Sequence, residues 1–526
     1  MVRHVEKIVV GGTTLNLTQN QIVCFVGPNS SGKSQALNSI SRQIFSAGEF
    51  RVSNSVTGSI VSSLRLNAFA DETAGVERLA GFGEWTDDGY VHETSGFLGN
   101  QNRMKQFLSG QGLQEFNSVF HRNVSANQRQ QIDKPVAPRT DNMRNLRSLQ
   151  IMYNRPDLES SFSGWCERLF GDQCSVNWNI DNQLELRVGK RLDPQDFEGR
   201  RDPDYFAALE GYPDLKAFGD GQKAALGLLA EVLLWAASTY CVDEPDVYLH
   251  PPQAYEIAKL ICAEKQDAQF FFATHSASFV KGLFDEAADR LVLIRLDKSD
   301  DAYTADVVSN DAFIDIKTHP VLKFSNLVEG LFYRQQYICE DASDCLFYRH
   351  GLEAIGAPSE IVNGLWIGAN GKNNIPKFFD AAQKLAIRPV CVFDFDVLRP
   401  DSFEKVILNI LSVISNDEIA GVQSLHESIV KSVEGDAKVH WDRLKLDGLR
   451  AVSHSQQLYD MLESLIARLK TYGIIVVRFG EVESLNEPRL GKGQAAVNKM
   501  LELEFREARS LENARKFVAE IVDCSR

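Results

Sequence analysis

The sequence predicts an α/β protein with two domains, and three observations lead to that fold class. First, an apolar strand, Ile22–Val26, runs directly into a glycine-rich loop and then into a segment with helical spacing. Second, two later apolar strands in the first half end in acidic or imidazole side chains. Third, the second half alternates short apolar strands with helical segments, which is typical of a parallel sheet. The chain has 526 residues, and this length favours roughly two to four domains.

The glycine-rich loop has the spacing G-x-x-x-x-G-K-S over residues 27–34. Glycines let backbone N–H groups curl around a phosphate chain, and the helix that follows directs its positive end at the same anion. The lysine of this pattern reaches the β- and γ-phosphates, and the serine hydroxyl ligates Mg²⁺. The sequence therefore predicts a site for ATP with Mg²⁺. Its candidate binding residues are Gly27, Asn29, Ser31, Gly32, Lys33 and Ser34.

The net charge of the chain is −15, from 56 basic and 71 acidic residues. Contact with nucleic acid would therefore need a local basic patch, because the global field repels phosphate. The nine cysteines are odd in number and lack C-x-x-C spacing, which favours free thiols in a reducing cytosol. The N-terminus has no apolar signal core, and the longest apolar run, residues 224–238, is too short to span a bilayer. We therefore expect a cytoplasmic protein without a membrane partner.

Residues 5–26 are predicted to form strands joined by turns, and residues 35–45 carry apolar side chains at helical spacing. An insertion that is hard to interpret follows, from residue 46 to about 210. Within it, residues 98–150 contain eight basic and three acidic residues. Two interpretations stay open: a surface for nucleic acid or a ribonucleoprotein, or a solvated insertion in which some arginines contact ATP phosphates. A hairpin is predicted from residues 174–180 and 183–188.

Three further signals follow in close order. A Gly-Asp-Gly-Gln run at residues 219–222 opens an apolar helix over residues 224–237, one strand then ends in Asp-Glu, and another ends in Thr-His. A strand-end aspartate can hold the Mg²⁺ shell, the adjacent glutamate can orient or deprotonate the attacking water, and the histidine can contact the γ-phosphate. The predicted residues are Asp243 as metal ligand, Glu244 and His275 as catalytic groups, and Gly219, Gly221 and Gln222 as nucleotide contacts.

This ordered set resembles an ABC-type ATPase head of the recombination and SMC-like kind. Residues 243–251, D-E-P-D-V-Y-L-H-P, resemble the D-E-P-E-x-x-L-H-P run of the OLD (overcoming lysogenization defect) family. The resemblance covers residues 1–315. It implies that two heads sandwich ATP as a homodimer, with the 219–222 loop of one subunit completing the site of the other. Gly219 stands where the family pattern L-S-G-G-Q has serine, which favours slow, switch-like hydrolysis.

The second domain is predicted to begin between residues 315 and 330, after a loop-rich stretch that contains Asp311, Asp315 and Pro320. Three of its apolar strands end in acidic residues. Parallel strands bring their C-terminal ends to one edge of a sheet, and Mg²⁺ prefers carboxylate oxygens. Two Mg²⁺ ions there would support phosphodiester cleavage; the alternative is that these acids only cap strands at a solvated edge. The acids predicted to converge are Glu340, Asp394, Asp396 and Glu483.

This half resembles a Toprim domain, as in the OLD-family nucleases. The motifs that match are E-x-x-x-D at 340–344, G-K-N-N-I-P at 371–376, D-x-D at 394–396 and G-E-x-E at 480–483. The fold class is therefore an ABC-type P-loop ATPase head followed by a Toprim-like Rossmannoid domain over residues 325–526, which ends in a C-terminal helix. The resemblance implies that Mg²⁺, or Mn²⁺ in its place, is bound by Glu340, Asp344, Asp394, Asp396 and Glu483.

Three further features belong to this half. Lys445 is a candidate catalytic contact to the scissile phosphate, with a surface lysine on a helix as the alternative. Asp341 replaces the glycine that usually follows the first glutamate of the Toprim pattern, which adds negative charge beside the metal site. The tail over residues 499–522 has helical periodicity with mixed charge and is expected to pack or to mediate assembly.

The resemblance implies an ATP-regulated, Mg²⁺-dependent endonuclease that acts on DNA in bacterial antiphage defence. It also implies a homodimer or tetramer, beside a partner such as a helicase or a retron reverse transcriptase with its DNA–RNA hybrid. One alternative is an ATP-switched sensor or scaffold with a degenerate Toprim domain, which Gly219 and Asp341 favour. Another is an RNase of the same architecture, for example one acting on tRNA, because a two-metal carboxylate site does not distinguish DNA from RNA.

Overall fold

The chain divides into two compact units, Met1–Val307 and Val308–Arg526. The computed structural model describes residues 4–46, 60–66, 83–85, 90–92, 96–99, 102, 120–138, 147–178, 181–299, 302–414 and 419–525.

The first unit contains both strands and helices. Its strands are β1 (Val5–Val10), β2 (Thr13–Asn16), β3 (Ile22–Val26), β4 (Val61–Leu66), β5 (Gly83–Trp85), β6 (Tyr90–His92), β7 (Gly96–Gly99), β8 (His121–Val124), β9 (Gln173–Trp178), β10 (Leu184–Gly189), β11 (Thr239–Asp243), β12 (Gln269–Ala273), β13 (Leu291–Ser299) and β14 (Ala302–Val308). Its α-helices are α1 (Lys33–Ser46), α2 (Ala126–Arg129), α3 (Ser148–Asn154), α4 (Pro156–Phe170), α5 (Pro203–Glu210), α6 (Asp220–Leu233), α7 (Pro251–Glu264) and α8 (Ala277–Ala287).

A six-stranded sheet in the order β14-β13-β3-β12-β11-β8 organises the first unit. The strands from β13 to β8 pair in parallel with their neighbours. The three predicted strands β3, β11 and β12 lie side by side, and their registers join Phe25 to Ala273 and Ala273 to Asp243. The carboxyl ends of these strands therefore lie next to one another, at the edge where open α/β sheets bind ligands.

Smaller antiparallel sheets accompany the six-stranded sheet. Strand β1 pairs with β2 and β4, and the predicted hairpin forms from β9 and β10. Residues of the β1 sheet, including Val5 and Ile8, share one buried core with Phe25, with Ile40 of α1 and with Phe271. The apolar face of the helix after the glycine-rich loop is thus buried between two sheets, which fixes the start of that helix relative to β3.

The second unit also alternates strands with helices. Its strands are β15 (Gln336–Cys339), β16 (Leu365–Gly368), β17 (Val390–Phe393) and β18 (Ile474–Val476). Its helices are α9 (Asp311–Thr318), α10 (Pro320–Lys323), α11 (Ala342–Ala354), α12 (Ser359–Val362), α13 (Ile375–Lys384), α14 (Pro400–Ser402), a π-helical segment (Phe403–Leu408), α15 (Asn409–Ile414), α16 (Ile419–Gly435), α17 (Trp441–Asp447), α18 (Gln456–Lys470), α19 (Gln494–Leu501) and α20 (Glu512–Cys524).

Four parallel strands in the order β16-β15-β17-β18 form the sheet of this unit. The three strands predicted to end in acids, β15, β17 and β18, are adjacent. Their buried side chains pack into a core with the C-terminal helix, where Tyr348 meets Phe517 with ring centroids 5.3 Å apart. The sheet therefore sets the ends of these three strands side by side at one edge.

One expectation from the sequence is wrong in this unit. The stretch around Asp311 and Pro320 is helical rather than loop-rich, because Phe313 and Ile316 have helical spacing and are buried. The tail is helical in α19 and α20 and packs, as predicted. Phe505 and Leu511 lie between these two helices and are buried in the same core as α20.

Among the described residues, no helix combines the length and the apolar composition that crossing a membrane requires.

Candidate functional site

The glycine-rich loop joins β3 to α1 and is shaped by close backbone contacts. Gly27 has φ +142°, and a Cβ atom there would lie 2.1 Å from the carbonyl oxygen of Leu296, so only glycine fits. Gly32 has φ +94°. Asn29 lies at the exposed turn of the loop. The predicted phosphate loop thus packs against β13 at Gly27, a position that no residue with a side chain can occupy.

Lys33 and Ser31 provide the polar groups of the loop. The Lys33 ammonium donates hydrogen bonds to the carbonyls of Gly27 (2.8 Å) and Pro28 (2.9 Å), and burial lowers the pKa of Lys33 to about 8 although Glu244 and Asp243 oppose the shift. The Ser31 hydroxyl is buried and has no hydrogen-bond partner among the described residues. An unpaired buried hydroxyl beside the N-terminus of α1 fits a phosphate ligand.

Ser34 and Asp243 connect the loop to the end of β11. The Ser34 hydroxyl donates a hydrogen bond of 3.0 Å to Asp243 Oδ1. Burial raises the pKa of Asp243, and this hydrogen bond acts in the opposite direction. A serine hydroxyl beside a strand-end carboxylate matches the oxygen ligands that Mg²⁺ takes in nucleotide sites. These two residues, which lie 209 positions apart in the sequence, fit the predicted metal position.

Glu244 follows Asp243 in an unusual backbone conformation. Its φ is +47°, in the left-handed region that residues with a side chain rarely adopt. Its backbone N–H donates to the Ala273 carbonyl (2.8 Å). The guanidinium of Arg129 donates to the carbonyls of both Asp243 and Glu244, at 2.8 Å each. The predicted catalytic glutamate is therefore held by its backbone, which leaves its carboxylate available.

Arg129 is a functional candidate that the sequence did not reveal, since it lies in the basic stretch at residues 98–150. Arg122 of the same stretch pairs with Glu231 and stacks on Trp235 at 3.6 Å. Arg147 donates to the Gln131 carbonyl (2.9 Å). These three arginines bind protein groups, which neither interpretation of the stretch had predicted. Four other basic residues of the stretch lie outside the described residues: Arg103, Lys105, Arg139 and Arg144.

His275 lies just beyond the end of β12, beside the same acids. Partial burial and the charge of Lys33 lower the pKa of His275, whereas Asp246 and Glu244 raise it. The preceding Thr274 hydroxyl donates to Asp246. Charged groups of the first unit thus act on one another at the carboxyl ends of β3, β11 and β12. They are Lys33, Asp243, Glu244, Asp246 and His275.

The 219–222 loop lies at the start of α6. Gly219 precedes the helix with φ −69°, and a Cβ atom there would meet open space. A Cβ atom at Gly221 would lie 2.6 Å from the Tyr248 carbonyl oxygen. The Gln222 backbone N–H donates to the Gly219 carbonyl (3.1 Å). Gly221 is therefore required for packing, whereas Gly219 is not.

Comparisons with known proteins agree with this geometry. Residues 125–281 match a family described as "AAA domain, putative AbiEii toxin, Type IV TA system". This segment contains Arg129, the 219–222 loop, Asp243, Glu244 and His275. The family match and the phosphate-loop geometry together support a P-loop ATPase. No curated protein matches the chain.

Solved structures give only low overall similarity. An SMC head bound to the C-terminal winged-helix domain of ScpA is 13% identical, with a TM-score of 0.36, over 58% of this chain and 98% of that one. The SMC head domain of Thermotoga maritima is 16% identical, with a TM-score of 0.31, over 58% and 99%. The cbiO1 component of the cbiONQ ABC transporter complex of Clostridium perfringens is 12% identical, with a TM-score of 0.24, over 56% and 84%. The assignment rests on the family match and the site rather than on these overlaps.

A second acidic site lies in the second unit, at the carboxyl ends of β15, β17 and β18. Glu340 Oε1 accepts a hydrogen bond from the Asp394 backbone N–H (3.2 Å), and Asp394 Oδ1 accepts one from the Val482 N–H (3.1 Å). Glu483 accepts from the Gly493 backbone N–H. Backbone N–H groups therefore link the three strand ends through the Glu340 and Asp394 carboxylates, whereas the Glu483 carboxylate binds the later loop at Gly493.

The charges of these acids act strongly on one another. Burial and repulsion from Asp396 raise the pKa of Glu340 to about 7. Burial and repulsion from Glu340 also raise the pKa of Asp394. Burial raises the pKa of Asp344 to about 6, with further repulsion from Asp341 and Glu483. Glu340, Asp344 and Asp394 form no ion pair within 4.0 Å in the part of the chain that the structure describes.

Asp396 differs from the other acids because two lysines bind it. Lys372 donates to Oδ1 at 2.6 Å and Lys445 to Oδ2 at 2.9 Å. Burial would raise the pKa of Asp396, but these two hydrogen bonds lower it. Lys445 also lies 3.7 Å from Glu481, which pairs with Arg489. Lys372 occupies the G-K-N-N-I-P run, and its contact with the acidic site could not be predicted from that run.

The carboxylate oxygens at this edge are the kind of ligand that a divalent cation binds, but their positions do not form a metal site. Among the described residues, no three His, Cys, Asp or Glu side chains are placed together so that they could hold a metal ion. Glu340, Asp344 and Asp394 nevertheless are half-buried acids that raise one another's pKa values and have no ion-pair partner among the described residues, an environment in which Mg²⁺ would favour the ionised carboxylates. Asp344 also accepts a hydrogen bond from the Asp341 backbone N–H (3.0 Å) and so helps to cap α11, while Asp341 is exposed.

Proposed function

We propose that this protein is an ATP-driven, Mg²⁺-dependent nuclease in which an ABC-type ATPase head controls cleavage at the acidic edge of the second unit. One observation supports the nuclease most strongly. The carboxylates of Glu340 and Asp394 lie at two neighbouring strand ends, linked by hydrogen bonds to the Asp394 and Val482 backbone N–H groups, and two lysines bind Asp396 at the same edge. Acids that hold metal beside lysines that bind phosphate are the groups that phosphodiester cleavage requires.

In the first unit, each residue has a separate part in ATP hydrolysis. Lys33 would exchange its two carbonyl partners for the β- and γ-phosphates, and Ser34 and Asp243 would hold Mg²⁺. Glu244 would orient the attacking water and take its proton, since its carboxylate lies at the strand end while Arg129 occupies its backbone. His275 would contact the γ-phosphate. Gly219, Gly221 and Gln222 would meet the ATP of a second copy in a homodimer.

In the second unit, the residues divide into acids and lysines. Glu340, Asp344 and Asp394, with Glu483, would hold the metal, and Mg²⁺ would supply charge that stabilises the oxygens of the scissile phosphate. Lys445 would bind that phosphate, as its position 2.9 Å from Asp396 allows. Lys372 would share this role from the other side of the same carboxylate. Asp396 would keep both ammonium groups in place.

DNA is the proposed substrate, and antiphage defence is the proposed setting. The second unit provides four cations, Lys372, Lys445, Arg489 and Lys492, paired with Asp396 and Glu481 at the acidic edge. Such a group can bind a polynucleotide backbone. The description of the matched family names a putative toxin of a type IV toxin–antitoxin system, which agrees with a toxic activity under regulation. A tetramer and a defence partner follow from the OLD-family resemblance.

A second candidate is an ATP-switched sensor or scaffold with an inactive Toprim-like unit. Two observations favour it. No three acids of the described residues are arranged to hold a metal, and both oxygens of Asp396 are already occupied by lysines. Under this hypothesis, the lysines replace the metal and the edge serves only for binding. Partner proteins would then carry out any chemistry.

The deciding experiment is cleavage of plasmid DNA, single-stranded DNA and tRNA by the purified protein. Reactions would contain Mg²⁺ or Mn²⁺, with and without ATP. Asp394→Asn keeps the shape and the acceptor oxygen for Val482 but removes the charge, so we expect cleavage to fall by at least about 1,000-fold while ATP hydrolysis stays within about twofold. The matched control is Glu404→Gln, an exposed acid of the same unit, which should cut normally.

The outcomes separate the hypotheses. Metal-dependent cutting of DNA that Asp394→Asn removes would support the nuclease, and a preference for tRNA would make it an RNase. Cutting that Asp394→Asn leaves intact would rule out this site. ATP hydrolysis without cutting of any polymer would favour the sensor or scaffold.

A further inference from the structure

We infer that Arg129 is a positioning residue for ATP hydrolysis, which holds Glu244 in its reactive backbone conformation and couples it to α6. This inference rests on the proposed role of Glu244 in activating water. Arg129 belongs to the four-residue helix α2 and lies 115 residues from Glu244 in the sequence. It would touch neither ATP nor water, and it acts through the backbone of another residue.

The conformation of Glu244 requires external support. Its φ of +47° places a residue with a Cβ atom in the left-handed region, which is sterically unfavourable and persists only where the surroundings hold it. The Arg129 guanidinium binds the carbonyl before this residue, that of Asp243, and the carbonyl of Glu244 itself. The Glu244 N–H is fixed separately on Ala273. The peptide groups on both sides of the strained φ are thus hydrogen-bonded.

Arginine suits this task better than any other residue. Its planar guanidinium donates from two nitrogens held in a fixed geometry, whereas a lysine ammonium donates from one nitrogen on a flexible side chain. The side chain is 2% exposed, and its Nε has no hydrogen-bond partner among the described residues. Burial lowers the pKa of Arg129, although the nearby charges of Asp243, Asp246 and Glu244 counteract this effect. Such burial of a cation on carbonyls rather than on a carboxylate is costly, which indicates a specific use.

Gly227 links Arg129 to α6. A Cβ atom at Gly227 would lie 1.9 Å from the Arg129 carbonyl oxygen, so α2 packs against α6 at a distance that only glycine permits. Helix α6 begins directly after Gly219, at the loop proposed to meet the ATP of a second copy. A displacement of α6 would therefore move the Arg129 backbone. The guanidinium that binds the carbonyls of Asp243 and Glu244 would move with it. The contact provides a direct mechanical route from the 219–222 loop to the water-activating group.

The first test measures ATP hydrolysis and ATP binding separately in Arg129→Lys and Arg129→Gln. We expect kcat to fall about 10- to 100-fold, the range typical of a misplaced catalytic group. The Kd for a fluorescent ATP analogue should stay within about twofold, because the phosphate loop is untouched. Arg129→Lys should retain more activity than Arg129→Gln. A parallel fall in affinity and in thermal midpoint, without a specific loss of kcat, would contradict the inference.

A double-variant cycle separates positioning from general stability. In Glu244→Gln the water-activating group is gone, so adding Arg129→Lys should reduce the remaining hydrolysis no further. Full additivity of the two losses would overturn the inference. If Glu244→Gln alone hydrolyses ATP normally, the proposed role of Glu244 fails instead. If Glu244→Gln is inactive but Arg129→Lys is fully active, only the role of Arg129 fails.

Gly227→Ala tests the position of Arg129 from its contact with α6. The added methyl must displace the Arg129 backbone, so kcat should fall while the Kd for the ATP analogue is retained. Gly164→Ala is the matched control, since a Cβ atom there meets nothing within 4 Å in a helix of the same unit. Equal effects of the two substitutions on kcat would contradict a specific route through Gly227.

Discussion

The two units place acids at the ends of parallel strands but use their cations differently. In the first unit, Arg129 and Lys33 donate to backbone carbonyls. Neither of these cations donates to the carboxylate of Asp243 or Glu244, and the Asp243 carboxylate accepts a hydrogen bond from Ser34. In the second unit, Lys372 and Lys445 donate directly to a carboxylate, that of Asp396.

The difference shows two ways to prepare a phosphate site. The first unit fixes the backbone, so the correct shape exists before the ligand arrives and little reorganisation is needed. The second unit keeps three acids close without a paired cation, so repulsion destabilises its acidic edge, and under the proposed function Mg²⁺ would relieve that repulsion. We therefore expect substitutions in the first unit to change mainly ATP binding and hydrolysis. Substitutions and Mg²⁺ in the second unit should change mainly the free energy of unfolding.

The largest expected effect tests the first unit. Lys33→Ala removes a buried ammonium that would meet the ATP phosphates, so the Kd for ATP should rise about 100-fold or more, as for other lost charge-assisted contacts. Lys7→Ala, at an exposed position on β1, should leave the Kd unchanged. Equilibrium binding of a fluorescent ATP analogue gives both values. Normal affinity in Lys33→Ala would show that the loop does not bind nucleotide as proposed.

An intermediate effect tests the second unit. The Asp394 carboxyl has a raised pKa, so at pH 7 its ionised form is less favourable in the folded protein than in the unfolded chain. This carboxyl therefore lowers stability above its unfolded pKa. Asp394→Asn should therefore raise the free energy of unfolding in chelator, because the amide carries no charge that the folded protein must bury.

Mg²⁺ should reverse the order of these stabilities. Metal binding stabilises the folded state of the unsubstituted protein, whereas Asp394→Asn lacks one ligand and should gain little. Thermal unfolding in chelator and in excess Mg²⁺ measures both effects, with Glu404→Gln as control. A substitution that destabilises the metal-free protein would show that the acids are not in net repulsion.

The smallest effect concerns the loop before α6. Gly219 has an ordinary φ and open space around it, so Gly219→Ser should fold normally and add the hydroxyl that ABC-type patterns carry. We expect ATP turnover to rise about threefold, as one added hydrogen bond of about 0.5–1 kcal/mol would give. Gly221→Ala, which would meet the Tyr248 carbonyl, should lower it. Steady-state hydrolysis over a range of protein concentrations checks this. Unchanged turnover in Gly219→Ser would argue against a composite site.

The main strands and the acid clusters could be predicted from sequence because their signals are local. Apolar runs such as Ile22–Val26 and Val390–Phe393 match the observed strands. Parallel pairing then places their ends together by geometry alone. The helix after the phosphate loop was also predicted, although it begins at Lys33 rather than at residue 35.

Two of the supporting cations, Arg129 and Lys372, could not be predicted because their partners are distant and lack a motif. Arg129 binds carbonyls, which every residue has, so no side-chain pattern marks its target. The basic composition around it indicated a surface, whereas packing placed it inside. Lys372 reaches Asp396 only because β16 and β17 flank β15. Such contacts depend on tertiary packing, and sequence spacing carries no signal for them.

The position of β3 in its sheet affects how the protein is made. Ile22 pairs with Phe270 and Leu291, so this strand is completed on both sides only after most of the first unit has been synthesised. At about 5–20 residues per second, an entirely apolar strand waits on the order of 15–60 s for its neighbours. During that time it presents two unpaired edges that other chains can join. The strand that carries the phosphate loop is thus translated before both of its neighbours and can be paired only after them.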